Sequence, residues 1–325
     1  MKAIVQDTYG SSDVLHLRDI DKPVVGERQV LLRVHAASLH IGDWHLMTGM
    51  PYLLRLGFGL RGPRMSVRGM DVSGRVEAVG KGVTRFQPGD EVFGTCDGAL
   101  AEYACAREDR LLHKPSNLTF EQAAAVPTSA ITALQALRDQ GKVRPGQKVL
   151  IIGAAGGVGL FAVQLAKAFG AHVTGVCSTS KVELVRSLGA DDVIDYTRQD
   201  FAEMGQRYEL ILDTAGNREL SLLRRALTPR GTLVIVGGEG GGRWFGGIDR
   251  QLRALMLAPF VSHKLRMLAS VARKEDLEVL KELIEAGKVM PIIDRKYPLS
   301  EGREAVRHLE SGRARGKIVV TCAEA

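Results

Sequence analysis

Three side chains able to bind metals or move protons, His40, Asp43 and His45, fall together in SLHIGDWHLMTG, residues 38–49. Metal ligation would need further donors from elsewhere in the chain to close a tetrahedral site. Proton transfer would need a reacting group within hydrogen-bond reach. A hydrogen-bonded turn that simply satisfies these groups in a β-rich setting is equally open. Tyr52 follows in GMPYLLRLGFGLRGPRM, which reads as a substrate-covering loop.

A second concentration lies in IIGAAGGVGLFAVQLAKAFGA. Its glycines fit a dinucleotide fingerprint as Ala154-x-Gly156-x-x-Gly159, with alanine at the first glycine position and Gly153 just before it. In such a turn the backbone of Ala155, Gly156, Gly157, Val158 and Gly159 approaches a pyrophosphate at the positive end of the following helix. That helix is expected because Val158, Phe161, Ala162, Leu165, Ala166 and Phe169 share one stripe. About twenty residues beyond the turn, where a carboxylate usually grips the ribose 2′-hydroxyl of NAD, HVTGVCSTSKVE offers Ser178, Thr179, Ser180 and Lys181 and no acid before Glu183. Hydroxyls and an ammonium suit a phosphate ester, so NADPH is the expected cofactor.

The elements that must hold these groups follow from the texture of the chain. Residues 1 to about 115 alternate short apolar runs (VLLRVHAAS, SGRVEAVG) with Gly, Pro and Asp turns, the punctuation of a small β-rich body. From Phe120 the pattern turns helical, and after RPGQ it alternates strand and helix, which implies a doubly wound parallel sheet. Strands are expected at 148–152, 172–177, 193–195, 209–213 and 231–236, helices near 274–287 and 300–311, and a last strand in GKIVVT. The domains so drawn are 1–122, 123–264, and a segment 265–325 returning to the first.

With 325 residues, 45% hydrophobic and 25% charged, the chain has room for two cores. The net charge of +7 is spread along the chain, which argues against nucleic acid as the main partner. No apolar run approaches the ~20 residues that cross a bilayer. The start, MKAIVQDTYG, reads as a first strand, and four scattered cysteines without a Cys-x-x-Cys pair suit reduced thiols; a cytoplasmic enzyme without a membrane partner is expected.

GAAGGVG, with SGRVEAVGKGVTRFQPGDEVFG, EQAAAVPTSAITALQAL and RGKIVV, resembles the medium-chain dehydrogenase/reductase superfamily over nearly the whole chain, nearest its zinc-independent quinone oxidoreductase, or zeta-crystallin-like, branch. The resemblance implies a GroES-like β-rich catalytic domain around an inserted Rossmann domain, NADPH, a homodimer, and hydride delivery to a quinone or another conjugated carbonyl. An enone or enoyl-type reductase, or a nucleotide-binding protein without turnover, are the alternatives. It places His40 where zinc-dependent members carry the first cysteine ligand, and GMD, with Met70 and Asp71, where they carry the second. No cysteine stands at 126–132 for the third, so no metal is expected. It sets His40, Asp43, His45 and Tyr52 on the substrate side, Thr132 at the nicotinamide half, Tyr196 at the adenosine phosphate beside Lys181, and Gly216 and Gly237 where backbone passes close to the cofactor.

Overall fold

The computed structural model describes residues 1–238 and 242–322, so that Glu239, Gly240 and Gly241 of the glycine-rich run GGEGGGRWFGG lie outside the described residues. The chain divides into two compact units. Unit 1 is Met1–Ile131, Ala272–Ala286 and Pro291–Ala325; unit 2 is Thr132–Val271 and Gly287–Met290.

Unit 1 begins with an antiparallel pair, β1 (Lys2–Val5) and β2 (His16–Asp19). Its long strand β3 (Gln29–Leu39) is the spine of the larger sheet and carries most of the buried Val and Leu of VLLRV. Helix α1 (Ile41–Thr48) and a single turn, α2 (Arg55–Phe58), follow before β4 (Asp71–Val79) returns antiparallel to β3. Then come β5 (Glu91–Thr95), β6 (Tyr103–Arg107), β7 (Leu111–His113), and the helices α3 (Phe120–Ala124) and α4 (Pro127–Gln135). Glycine at 49, in the left-handed region at φ 61°, ends α1 by a C-cap that other residues adopt only with strain. An eight-residue helix in this β-rich stretch departs from the all-strand reading of residues 1–115, because its apolar positions are too few to show a helical period.

Unit 2 is a six-stranded sheet of parallel strands: β8 (Lys148–Ile152), β9 (His172–Cys177), β10 (Asp192–Asp195), β11 (Tyr208–Asp213), β12 (Leu227–Ile235) and β13 (Lys264–Met267). Their order, β10-β9-β8-β11-β12-β13, puts the first strand in the middle and reverses direction between β8 and β11. That reversal is the crevice where doubly wound sheets bind dinucleotides. The connecting helices are α5 (Gly157–Ala168), α6 (Val182–Ser187), α7 (Leu220–Arg225) and α8 (Ile248–Leu257). Helix α5 is buried from Gly159 to Ala166 without a break, so it is enclosed on more than its one apolar stripe. Strand β12 starts four residues before the expected 231, and β13 and α8 are additions that the sequence pattern did not show. KLRM alternates too weakly to mark a strand.

The chain returns to unit 1 through α9 (Lys274–Glu285), β14 (Ile293–Pro298), α10 (Gly302–Glu310) and β15 (Lys317–Thr321). β15 pairs antiparallel with β3 and parallel with β14, so the expected last strand completes the sheet that β3 began. Among the described residues no helix is long and apolar enough to cross a membrane.

Candidate functional site

In unit 2 the chain leaves β8 through Gly153, at φ +81°, and enters α5 after Gly156. A Cβ on Gly153 would meet the Thr214 hydroxyl at 2.5 Å, and one on Gly159 would stand 2.1 Å from the Gly153 carbonyl oxygen. One on Gly156 would come no closer than 3.3 Å. The demanding glycines are therefore 153 and 159, and Ala154 is tolerated because the positive φ falls one residue earlier. Gly156 caps α5 without a side chain, so no side-chain oxygen competes for the first-turn amides of Gly157, Val158 and Gly159. Ala155 and Gly156 complete the loop beneath them. Amides left open at the positive end of a helix make a site for an anion, and the turn fits a dinucleotide pyrophosphate.

At the next strand end, parallel pairing sets Asp195 of β10 beside Cys177 of β9 and so brings two loops together. Ser178 and Lys181 are half-buried and Ser180 is exposed. The Tyr196 N–H donates to the Cys177 carbonyl at 3.1 Å, leaving half of its ring in solvent. Ser178, Ser180, Lys181 and Tyr196 thus flank one edge. The linear pattern missed Asp195, which no acid-before-Glu183 argument detects because it arrives from a different strand. Its Oδ2 accepts from the Thr179 hydroxyl at 2.6 Å, and its Oδ1 accepts from the Thr197 N–H at 3.0 Å and hydroxyl at 2.7 Å. The Thr179 hydroxyl foremost, then the Thr197 donors and the Arg198 charge, hold its carboxyl below the usual range. Its acceptor capacity is largely spent on these threonines.

Gly216, at φ +69°, and Gly237 lie at the ends of β11 and β12. A Cβ on Gly216 would meet the Gly237 carbonyl oxygen at 2.7 Å, and one on Gly237 the Thr214 carbonyl oxygen at 2.3 Å. The packing of these two loops on each other already accounts for both glycines. Thr132, the first residue of unit 2, sits half-buried on α4.

In unit 1 the opening motif has an answer in local structure. His40 is the N-cap of α1: its Nδ1 accepts the Gly42 N–H at 3.0 Å, while its own N–H donates to Asp43 Oδ2 at 2.9 Å. Only glycine at 42 lets the ring sit there, since a Cβ would lie 2.7 Å from His40 Cε1. With Nδ1 accepting, the proton of the neutral ring is on Nε2, 3.6 Å from Asp43 Oδ2. Burial pushes the Asp43 carboxyl above its ordinary range, opposed by His40. His40 Nδ1 and Asp43 Oδ2 thus serve the helix cap, while His40 Nε2 and Asp43 Oδ1 are buried without a hydrogen-bond partner among the described residues.

The neighbouring Asp71 is closed off as well. Thr128 donates to its Oδ1 through N–H and hydroxyl, Ser38 donates to its Oδ2 at 3.3 Å, and Lys317 Nζ stands 3.7 Å away. Lys317 also donates to the Leu39 carbonyl and the Ser129 hydroxyl, each at 2.9 Å. Asp71 is therefore engaged with protein partners, and among the described residues no three His, Cys, Asp or Glu side chains gather to hold a metal ion.

His45 differs. Its ring lies 2.7 Å from the Met50 carbonyl through Nδ1, so that nitrogen must carry the proton and Nε2 the lone pair. Burial, foremost, and His40 lower its pKa, opposed by that hydrogen bond. Near neutral pH His45 therefore offers an acceptor, not an acid. Tyr52 is half-buried, with the Arg55 guanidinium 4.6 Å from its ring. Arg55 is held over the Tyr9 ring at 4.5 Å as well, which ties the loop after α1 back to the N-terminal strand pair.

Known proteins match both units. The Alcohol dehydrogenase GroES-like domain family matches residues 26–116, and the Zinc-binding dehydrogenase family matches residues 188–320. The mouse protein named NAD(P)H oxidoreductase RTN4IP1, mitochondrial, is 36% identical over 98% of this chain and 89% of its own length. The tomato 2-methylene-furan-3-one reductase is 34% identical over 98% of this chain and 79% of its own. The solved structure of the quinone oxidoreductase from Coxiella burnetii superposes with a TM-score of 0.87 at 32% identity, covering 99% of each chain.

Proposed function

The chain belongs to the quinone oxidoreductase-like branch of the medium-chain dehydrogenase/reductase superfamily, and from that premise, an NAD(P)H-dependent oxidoreductase, we propose that it is a zinc-independent NADPH-dependent reductase of quinones or other conjugated carbonyl compounds. The observation that carries this reading is the β8–α5 turn. Two glycines that tolerate no side chain hold a helix N-terminus open for an anion, and beyond the ends of the adjacent strands β9 and β10 the Ser178, Ser180, Lys181 and Tyr196 edge offers hydroxyls and a cation to a second phosphate.

In this reading Gly156 to Gly159 hold the pyrophosphate and Thr132, Gly216 and Gly237 border the nicotinamide half. When bound, the dinucleotide supplies a hydride. His45 accepts a hydrogen bond through Nε2 and so orients a hydroxylated or hydrated acceptor, while Tyr52 donates to the oxygen on which charge develops. His40 and Asp43 fix α1 and thereby the position of His45. The engagement of Asp71 by Thr128, Ser38 and Lys317 supports a reaction without zinc, in which charge is delocalised by the conjugated acceptor itself.

The tomato relative's name favours a second reading, reduction of a carbon–carbon double bond conjugated to a carbonyl. A homodimer and a reducing compartment, the cytoplasm, complete the proposal. Among the described residues strand β13 ends the sheet with one side unpaired while Leu252, Leu255, Met256 and Phe260 are exposed nearby, and all four cysteines are free thiols. The test is an acceptor panel with NADPH, run before and after dialysis against a chelator. Turnover of 9,10-phenanthrenequinone that survives the chelator is expected. Loss restored by zinc, or turnover of saturated alcohols alone, would overturn the reading, and enone products would select the second.

A further inference from the structure

A buried ion pair stands at the end of β11, on the edge of the parallel sheet where ligands bind. Asp213 is wholly buried; its Oδ1 accepts the Gly216 N–H at 3.0 Å and its Oδ2 accepts from Arg250 Nη2, on α8. The charge of Arg250 is balanced, but its donors are not. Nε and Nη1 are both buried and meet no acceptor among the described residues. An unfilled buried donor costs about 1–3 kcal/mol, so this guanidinium is built to receive an oxygen that none of the described residues provides there.

Which oxygen follows from the sheet. The half built on β8, β9 and β10 carries the glycine turn and the lysine–tyrosine edge, and so takes the pyrophosphate and adenosine. Asp213 and Arg250 lie on the other half, β11, β12 and the helix after it, which takes the second nucleotide. We propose that Arg250 Nε and Nη1 bind a carboxamide or ribose oxygen of the nicotinamide mononucleotide half, with Asp213 as the positioning residue that holds both the guanidinium and the Gly216 turn. The inference rests on the NAD(P)H-dependent reading given above. It adds a charged side chain to the half of the site that Thr132, Gly216 and Gly237 border in that reading.

The test titrates full-length protein, R250K and R250M with NADPH by nicotinamide fluorescence and with 2′,5′-ADP by calorimetry, alongside thermal midpoints. Both variants should bind NADPH about tenfold more weakly and leave 2′,5′-ADP binding unchanged. R250M strips Asp213 of its cation and risks unfolding, whereas R250K keeps a cation and removes the planar fork. Hydrogen exchange in the unaltered protein gives a readout free of mutation. NADPH should protect residues 213–216 and 248–257, and 2′,5′-ADP should not. NADPH affinity unchanged in R250K, equal loss of both ligands, or equal protection by both would overturn the assignment. Failure of the unaltered protein to bind any nicotinamide dinucleotide would instead overturn the proposed function.

Discussion

Lys317 with Asp71 in unit 1 and Arg250 with Asp213 in unit 2 are both buried pairs at strand ends, yet they finish their bonding differently. Lys317 spends itself on Leu39, Ser129 and Asp71, and Asp71 is filled by Thr128 and Ser38. Arg250 Nε and Nη1 meet no acceptor among the described residues. The helix N-termini also differ: α1 is capped by His40 and Asp43, although His40 Nε2 and Asp43 Oδ1 find no partner among the described residues, whereas α5 starts at Gly156 with no side-chain cap. A saturated network fixes geometry and has nothing left to bind with. An unsaturated one lowers stability a little and keeps donors for a ligand.

The largest expected effect comes from breaking the saturated pair. Lys317→Met leaves Asp71 buried without its cation, and loss of one partner of a buried pair costs about 3–5 kcal/mol. Urea unfolding should show the deficit directly; a variant as stable as the parent would mean that the Lys317–Asp71 network carries no structural weight.

The open helix end in unit 2 should respond in binding. In Gly159→Ala the new methyl is driven into the Gly153 carbonyl, 2.1 Å away, and overpacking of this kind costs about 1–3 kcal/mol. Nucleotide affinity should fall by about tenfold or more. Gly156→Ala, with 3.3 Å of clearance, should bind nearly as the parent does. Titration of the two side by side checks the assignment of the tight positions, and equal losses would refute it.

The same contrast explains what could be read in advance. The β8–α5 turn was legible because backbone geometry forces glycine at 153 and 159, and a forced residue type is visible in one dimension. Most strands of unit 2 were legible because buried parallel strands are apolar runs. Helix α1 was not, since a His cap and an eight-residue helix leave no period to detect. Asp195 and the Arg250–Asp213 pair were not, because each meets its partners across the sheet; Arg250 and Asp213 are 37 residues apart. His40 was given a substrate-side reading by its place in the family resemblance, and the Gly42 N–H on its Nδ1 shows where one side of its bonding goes.

Lys181→Ala tests the outer edge of the open half. One phosphate contact is worth about 1.4 kcal/mol, so an NADPH preference over NADH of about tenfold in the parent should largely vanish. Asp195 sharpens the test, since its carboxylate stands on the same edge and disfavours a phosphate wherever its threonine donors release it. Equal affinity for the two cofactors in the unaltered protein would remove the phosphate assignment of Ser178, Ser180 and Lys181 altogether.

The smallest effect belongs to the cap of α1, where the saturated half has a flaw. Asp43 Oδ2 serves the His40 N–H, but Oδ1 is buried without a partner, and burial raises the pKa of the folded carboxyl. The folded protein therefore holds this proton to higher pH than the unfolded chain does. Between the unfolded value, about 3.9, and the raised folded one, the folded state binds more protons, so stability must fall as pH rises through that window. Below it the contribution is complete. Asp43→Asn keeps an acceptor for the His40 N–H and never ionises, so it should match the parent to within about 1 kcal/mol at the acid end and lose the downward slope above it. Urea midpoints measured from acid to neutral pH for both proteins decide the matter. A slope that persists unchanged in the Asn variant would place its origin outside the cap.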